Sequence, residues 1–372
     1  MKPGLRSIYN FEHNLQREGM FYFGPYEFNV PQELIGGSFA QAKKLVFAKK
    51  FSSSGLQRTF AEKAAVSGDW NVTALLTEHP ALDEPSVLMP DNPWVNGGFD
   101  LSLILSLLTG ACVALDKDSP PDFKLSPALP IVCDDFFAKG SKVDWTLLPA
   151  MQAAGGGDAL YALSLARDSQ EGVVKLAMGS AALDGLVSRW HSTSGENRYS
   201  PEVKDKIKFA LQSFETNLTN AKVDELLIKD IMSRTNNLSS NSALSKLTAF
   251  LSMFEMYPKD AGKDVALRLK FFNVLRNSVA HTGVLRLSIA GQPDVTGRVA
   301  GAVAVLLQYI CRVYIAKYLL GIVDAKIEET QQVVKKFFTT GKLFGNDIIT
   351  EDYDAYRQRL IDHFEEHGNL DL

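Results

Sequence analysis

The uneven distribution of proline is the feature that most constrains the fold of this chain. Twelve of the 15 prolines lie within residues 1–150, among short aromatic and β-branched runs such as residues 20–28. Proline lacks the amide hydrogen that helices and sheets need, so frequent proline favours short elements joined by turns. We therefore expect a strand-rich or mixed domain here, in which the dense apolar run over residues 100–115 is either a helix or a buried strand.

Helical periodicity dominates after the triplet Gly155-Gly156-Gly157, which is typical of a hinge. Helices are predicted near residues 158–191, 201–219, 222–236, 242–257, 264–282 and 297–321. Charged residues prevail after Gly321, where helices near 324–338 and 351–366 are expected to form an exposed tail or a partner-binding segment. The predicted class is α+β, with a strand-rich or mixed N-terminal domain (1–150), an all-α bundle (155–322) and a charged helical tail (323–372).

Composition and charge exclude several functional classes. A net charge of −4 and a pI near 5.9 argue against broad, non-specific coating of nucleic acids. The three cysteines share no metal-ligand spacing and lie among apolar residues, as buried free thiols in a reducing cytoplasm do. No signal peptide opens the chain, and Arg312 and Lys317 interrupt its one membrane-like run, residues 299–323. We expect a cytoplasmic protein with no membrane span, metal or cofactor.

The helix predicted over residues 264–282 carries the strongest chemical motif. It ends in Arg276-Asn277-Ser278-Val279-Ala280-His281, followed by Thr282 and Gly283. At 100° per residue, one arc of this helix forms a core-facing stripe made of Leu267, Phe271, Phe272, Val274, Leu275 and Val279. The opposite arc holds Lys270, Asn273, Arg276, Asn277 and His281, together with Leu269. Because the motif lies on that polar arc, replacing Arg276 or His281 by alanine is expected to leave the fold intact.

The charges around this motif favour an anion site over a solvated helix face. Residues 265–293 contain no Asp or Glu, whereas they include Arg268, Lys270, Arg276 and Arg286. An acid-free basic run in an acidic chain is typical of an anion site. A plain surface helix, with its basic C-terminal end matched to the helix dipole, is the alternative. Two further Arg–His pairs of similar spacing, at residues 6 and 13 and at residues 357 and 363, lack this context.

The motif and its setting resemble the HEPN superfamily. The order of helices matches, and residues 276–283 are similar to the ending of ApeA-like HEPN domains, with Thr282 inserted before the glycine. The segment Ala181-Ala182-Leu183-Asp184-Gly185-Leu186-Val187 looks like the corresponding earlier helix of those domains. The resemblance covers about residues 155–322, and it implies an all-α HEPN-like bundle preceded by a β-rich sensing or regulatory domain.

The resemblance implies a metal-independent endoribonuclease in which the ribose 2′-OH attacks the adjacent phosphate. His281 would be the general acid or base, because the ordinary pKa of histidine, about 6.5, suits proton transfer near neutrality. Arg276 would bind the phosphate and Asn277 would orient it or the histidine, while Lys270, Asn273 and Arg286 would contribute to substrate binding. Family members usually dimerise so that both motifs face one cleft, which supplies a second proton-transfer group.

Two other interpretations remain open at this stage. A non-catalytic HEPN-like module would bind RNA, nucleotides or a partner through the same groove, and a purely structural protein would use the helix as a solvated face. The expected partners are RNA and a second copy of the chain, with an antitoxin or a trigger ligand at the N-terminal domain. By analogy with the family, the setting would be antiviral defence or a toxin system.

Overall fold

The computed structural model describes residues 4–11, 13–35, 72–115, 129–140, 143–169, 171–194, 201–236, 242–259, 261–282, 293–342 and 358. These residues form a small antiparallel sheet near the N-terminus followed by a series of helices. The coarse prediction of an α+β protein is confirmed. The helix expected over residues 351–366 lies outside the described residues, apart from residue 358.

The described strands form a five-stranded antiparallel sheet. They are β1 (Leu5–Tyr9), β2 (Gly19–Phe23), β3 (Tyr26–Val30), β4 (Val72–Thr77) and β5 (Ala114–Leu115), in the spatial order β2-β3-β4-β1-β5. β2 and β3 pair as a hairpin whose turn contains Gly24 at a φ of 61°, a conformation that glycine adopts without steric cost. The aromatic run over residues 20–28 is therefore a hairpin, within the region where the composition predicts short elements joined by turns.

One face of this sheet is an aromatic core. Phe11, Phe21, Phe28 and Phe137 pack together, and the ring centroids of Phe11 and Phe137 are 4.7 Å apart. Phe21 and Phe28, which are paired across the hairpin, stack at 4.9 Å. The opposite face carries exposed residues such as Tyr22, as the two-residue alternation of strands requires.

The apolar run over residues 100–115 forms helix α1 (Gly97–Thr109) and then β5. The Asn96 side chain caps the first turn by accepting a hydrogen bond from the amide of Phe99. Gly110 ends the helix at a φ of 75°, and a side chain there would lie 2.7 Å from the backbone of Leu129. Because most of α1 is buried, its run is apolar on all sides, which is why periodicity alone does not distinguish helix from strand.

The remaining α-helices from α3 onward follow the predicted order, whereas α2 was not predicted. They are α2 (Leu148–Ala153), α3 (Gly156–Asp168), α4 (Gly172–Ser194), α5 (Pro201–Asn220), α6 (Glu225–Asn236), α7 (Ala243–Met253), α8 (Lys263–Thr282), α9 (Pro293–Val313) and α10 (Ala325–Thr340). A π-helical turn, Tyr314–Leu319, continues α9. The single helix predicted over residues 158–191 is wrong, because the chain becomes extended at Ser169, whose hydroxyl accepts from the amide of Glu171.

The glycine triplet at residues 155–157 forms a close-packed turn in place of the expected hinge. Gly155 has a φ of 81° and lies at the N-terminus of α3. A side chain at Gly157 would lie 2.2 Å from the carbonyl oxygen of Leu88, so glycine is required where these backbones approach. Gly157 and Leu88 therefore pack closely although they lie on opposite sides of the boundary predicted between the N-terminal domain and the helical bundle.

The segment predicted as an exposed charged tail begins with a packed helix. In α10, Ile327, Val334 and Phe338 are buried, and the Phe338 ring lies 5.6 Å from that of Phe272 in α8. Asp324 caps α10 through the amide of Lys326 and also accepts from the amide of Cys133. The expectation of an exposed tail is wrong here, because the charges of α10 alternate with an apolar stripe at helical spacing.

The chain divides into two compact units. The first comprises residues 1–186 and 255–372, and the second, Val187–Phe254, holds the end of α4 with α5, α6 and α7. Within the second unit, Trp190 packs against Phe250 and Phe254.

One described helical stretch, Gly301–Leu319, is long and apolar enough to cross a membrane. However, 67% of its most apolar window is buried inside the protein. Core helices of soluble proteins have this pattern, and the burial is in keeping with the interpretation of this run as a core helix.

A buried histidine in the sheet region makes stability depend on pH. His13 is fully buried, its Nδ1 accepts from the amide of Leu15, and its Nε2 lies 2.9 Å from the carbonyl oxygen of Thr73. Nδ1 is thus an acceptor and Nε2 a donor, which is the neutral form. Burial lowers the pKa of His13, partly offset by its backbone hydrogen bonds.

Because the folded pKa lies below the unfolded value, the stabilisation is present above about pH 6.5 and is lost as pH falls below it. We expect the free energy of unfolding to decrease below pH 6.5 by up to about 1.4 kcal/mol per pH unit from His13. Urea unfolding of the wild type and of His13→Gln at several pH values measures this difference. His191→Gln serves as the control, and an unchanged pH profile in His13→Gln would contradict the prediction.

Candidate functional site

Helix α8 carries the predicted motif residues, and its burial differs from a simple amphipathic pattern. Leu267, Phe271 and Phe272 are buried, as the core stripe predicts. On the opposite arc, however, Leu269 and Asn273 are also buried. The predicted solvent-facing arc is therefore wrong for this part of α8, which has buried residues on both sides.

Arg276 is among the most deeply buried large side chains, with only 2% of its side chain exposed. Its Nη1 donates to Asp184 Oδ1 at 2.5 Å, and its Nη2 donates to Asn273 Oδ1 at 3.0 Å. Asp184 lies on α4, and about half of its side chain is exposed to solvent. The guanidinium is thus buried beneath a carboxylate that itself contacts water.

Two arginines of the acid-free basic run have partners that come from elsewhere in the fold. Asp184 supplies the carboxylate that residues 265–293 lack, from a position 92 residues earlier. Arg268 donates to the carbonyl oxygens of Phe338 and Thr339, at the C-terminal end of α10. Two of the four basic residues of this run are therefore engaged inside the protein, and the inference of an anion site from charge alone is weakened.

The other predicted site residues are placed to different degrees. Asn273 orients the Arg276 guanidinium, and Lys270 is partly buried on α8. The backbone of Asn277 and His281 is helical and belongs to the last two turns of α8, while their side chains lie outside the described residues. Arg286 also lies outside the described residues. The structure thus brings Arg276 and Asn273 together and keeps Asn277 and His281 on the same helix.

The surroundings of the ion pair are apolar and close-packed. Gly179 of α4 faces Leu307 of α9, and a side chain there would lie 3.2 Å from Leu307. Cys311 of α9 is fully buried; its burial raises the thiol pKa, and the charge of Asp184 raises it further while that of Arg276 lowers it. Helices α4, α8 and α9 therefore converge at this pair.

Asp184 is the functional candidate that the motif alone does not reveal. It is the only acidic residue between Gly172 and Ser194, and it follows the small and apolar run Ala181-Ala182-Leu183. A lone carboxylate in an apolar helix predicts a buried or half-buried cation as its partner. That signal indicates that Asp184 has a basic partner, although it does not identify Arg276 as that partner.

Chemically, the pair fixes a cation less than two helical turns before the end of α8. The carboxylate of Asp184 and the amide oxygen of Asn273 accept from two different nitrogens of the guanidinium, which holds its plane in one orientation. Within the described residues, no group of three or more His, Cys, Asp or Glu is placed to hold a metal ion.

No family model, curated protein or solved structure matches this chain.

The Arg276 guanidinium is buried and the Asp184 carboxylate is half exposed, so removal of Asp184 leaves an unpaired charge inside the protein. Asp184→Ala leaves a buried guanidinium without its carboxylate, so we expect the free energy of unfolding to fall by about 2–4 kcal/mol, reduced from the fully buried case because Asp184 is half exposed. Asp205→Ala, which removes an exposed carboxylate of α5, is the control and should change it by less than about 0.5 kcal/mol. Urea denaturation gives both values.

The double variant Asp184→Ala/Arg276→Met should recover part of this loss, because no unpaired charge then remains buried. A double variant that is no more stable than Asp184→Ala would show that the charge itself is not the cause. Arg276→Ala alone is also expected to destabilise the fold, contrary to the expectation for a residue on a solvent-facing arc.

Proposed function

We propose that the chain is a metal-independent endoribonuclease whose reactive side chain is His281. The observation that supports this proposal is that Arg276, five residues before His281 on the same helix, is held by hydrogen bonds to Asp184 and Asn273. An ion pair that joins α4 to α8 at this level restrains the helix end that carries the histidine. The resemblance of residues 276–283 to HEPN domains supplies the reaction class.

In this proposal the ribose 2′-oxygen attacks the adjacent phosphorus, and the bond from phosphorus to the 5′-oxygen breaks. A base accepts the 2′-OH proton, and an acid donates a proton to the leaving 5′-oxygen. The products carry 2′,3′-cyclic phosphate and 5′-hydroxyl ends. One histidine does not perform both transfers in one step, so the second group is His281 of a second copy of the chain, in a homodimer that includes α8 in its interface.

The burial of Arg276 changes the role that the resemblance implies for it. A side chain with 2% exposure and a carboxylate on Nη1 does not meet a phosphate in the arrangement described. We therefore assign Arg276 as a positioning residue that holds the end of α8 against α4. Asn277, Lys270 and Arg286 keep their proposed part in orienting the backbone of RNA, and Asn273 acts through Arg276.

The same burial favours a second candidate function, a non-catalytic module that binds RNA or a protein partner. A buried arginine needs an anionic partner, and Asp184 supplies it from within the chain, so the charge of Arg276 requires no ligand. In that case the surface near His281 would bind without cleaving. The proposed setting, a cytoplasmic effector of defence or toxin type regulated by the N-terminal region, applies to the catalytic candidate.

His281→Ala separates the two candidates. Purified wild type is expected to cleave single-stranded RNA, and His281→Ala to lose at least about 100-fold of that activity, as removal of a general acid or base does. Its RNA affinity and melting temperature should stay close to those of the wild type. His191→Ala, which removes another histidine from the last turn of a helix, is the matched control and should remain active.

Cleavage by both proteins to the same extent would refute the catalytic assignment, and binding without cleavage by the wild type would favour the second candidate. Arg276→Lys tests positioning, because it keeps the charge and loses the paired geometry. It should lower kcat more than it raises KM.

The mechanism predicts the conditions under which cleavage occurs. Activity should persist in excess EDTA, and a single 2′-deoxynucleotide at the cut site should block cleavage there, because the attacking group is the 2′-OH. Activity should rise through about pH 6–7 as the base deprotonates and fall at higher pH as the acid loses its proton. Analysis of end groups and pH–rate profiles gives these results, and comparable cutting of DNA would rule the mechanism out.

A further inference from the structure

The strand β2 forms one edge of the sheet. It lies first in the order β2-β3-β4-β1-β5, so in the described part of the sheet it pairs with β3 alone. A two-residue loop after Phe23 joins these strands. The residues next to such a loop exchange hydrogen bonds, and the direction of the backbone groups alternates along each strand. The amide and carbonyl groups of Met20 and Tyr22 therefore point away from β3, toward the free edge.

This edge lacks the features that usually protect an edge strand. The sequence of β2, Gly-Met-Phe-Tyr-Phe, contains neither a charged residue nor proline, either of which discourages pairing with another chain. The outward backbone groups of Met20 and Tyr22 make no hydrogen bond with the described residues, and 55% and 53% of these residues are exposed. By contrast, the opposite edge strand, β5, comprises two residues. Two N–H and two C=O groups of β2 are thus available to an added strand.

A carboxylate that has no basic partner among the described residues lies beside this edge. Glu27 of β3 is opposite Tyr22, and its Oε2 accepts from the Tyr22 hydroxyl at 2.8 Å. Its Oε1 accepts from the Thr77 hydroxyl at 2.8 Å and from the Asn29 amide at 3.5 Å. The hydrogen bond from Thr77, followed by that from Tyr22, lowers the pKa of Glu27, so its side chain is negatively charged at neutral pH. The three donors fix this charge on the exposed face of the sheet.

The ring of Tyr22 and the carboxylate of Glu27 together match an arginine side chain. A strand added to β2 would lie about 4.8 Å away, and its residue opposite Tyr22 would place its side chain on the same face. A guanidinium there would lie over the Tyr22 ring, which is a favourable cation–π contact. It would also reach Glu27, whose Oε2 accepts from Tyr22 alone among the described residues and keeps a second lone pair.

We propose that β2 binds an extended, basic segment of a protein partner, which adds to the sheet as a further antiparallel strand. An arginine of this segment contacts Tyr22 and Glu27, and an apolar residue two positions later contacts Met20. The main-chain hydrogen bonds provide affinity, and the two side chains provide specificity. This gives a chemical character to the partner expected at the N-terminal domain, and it does not rest on the ribonuclease assignment.

Fluorescence anisotropy of the full chain with labelled peptides tests this proposal. The peptide Ser-Thr-Arg-Thr-Leu-Thr-Ser, blocked at both ends, should bind saturably, with one peptide per chain. Replacement of its arginine by glutamate, or N-methylation of its arginine and leucine amides, should weaken binding at least about tenfold. N-methylation of the threonine between them, whose amide points to solvent, should change the affinity by less than about twofold. Absence of binding, or equal losses from the two N-methylations, would overturn the proposal.

Glu27→Gln tests the charge without changing the size of the side chain. The affinity for the arginine peptide should fall at least about tenfold in this variant, whereas the affinity for a peptide with glutamine in place of arginine should not change. Glu18→Gln, which removes an exposed carboxylate just before β2, is the matched control and should bind like the wild type. An equal loss in both variants would show a general attraction between charges and would contradict a specific contact with Glu27.

The same peptide distinguishes the other possible occupants of this edge. In sedimentation experiments it should bind without changing the number of protein chains per particle. Dissociation of a dimer by the peptide would show that β2 pairs with a second copy of the chain. Competition by single-stranded RNA would show that the surface binds nucleic acid. Either result would refute a basic protein segment as the occupant.

Discussion

The ion pair between the buried Arg276 and the half-exposed Asp184 is the interaction on which the arrangement of α4, α8 and α9 depends. Transfer of a guanidinium from water to an apolar interior is so unfavourable that its partner must be in place for the helices to pack. The carboxylate of Asp184 comes from α4 and the supporting amide of Asn273 from α8 itself. Gly179, five residues before Asp184, lets α4 approach Leu307 of α9, so the ion pair and this close packing both act on α4.

Arginine has a second structural role in this protein, because two arginine side chains donate hydrogen bonds to the carbonyl groups at the C-terminal ends of helices. Arg312 reaches the final carbonyls of α1, and Arg268 reaches those of α10. The last carbonyls of a helix lack partners within it, and a long cationic side chain satisfies both their hydrogen bonds and their partial charge. Arg268 and Arg276 lie in the same acid-free segment of the sequence but have different structural roles, which explains why the local charge of a segment is a weak guide to its function.

The sequence predicted those features that depend on neighbouring residues. The strand-rich character of the region around residues 20–28, the order of most helices from α3 to α10 and the buried stripe of Leu267, Phe271 and Phe272 follow from local composition and from the 3.6-residue period of helices. The same periodicity did not predict the burial of Arg276 and Asn273, because the carboxylate that makes this burial tolerable is 92 residues away. Likewise, the many charged residues of α10 favour an exposed tail. The structure shows that α10 belongs to the core: Phe338 packs against Phe272, Asp324 caps its first turn, and Arg268 donates to the carbonyl oxygen of Thr339 in its last turn. For the candidate site, the motif identified the helix and several of its residues. Whether Arg276 contacts a phosphate or a carboxylate of the protein depends on the tertiary structure.

The completion of α1 by Arg312 also bears on how the chain folds as it leaves the ribosome. Leu107 and its arginine partner are 205 residues apart, and Cys133 and Asp324 are 191 residues apart. At synthesis rates of about 5–20 residues per second, the end of α1 waits about 10–40 s for the side chain that satisfies its carbonyls. Contacts that close such long loops form late, because their entropic cost precedes their stabilisation. Helix α1 is therefore synthesised early but completed late. During that interval its last carbonyl groups depend on water, or on a chaperone, for the hydrogen bonds that Arg312 of α9 later supplies.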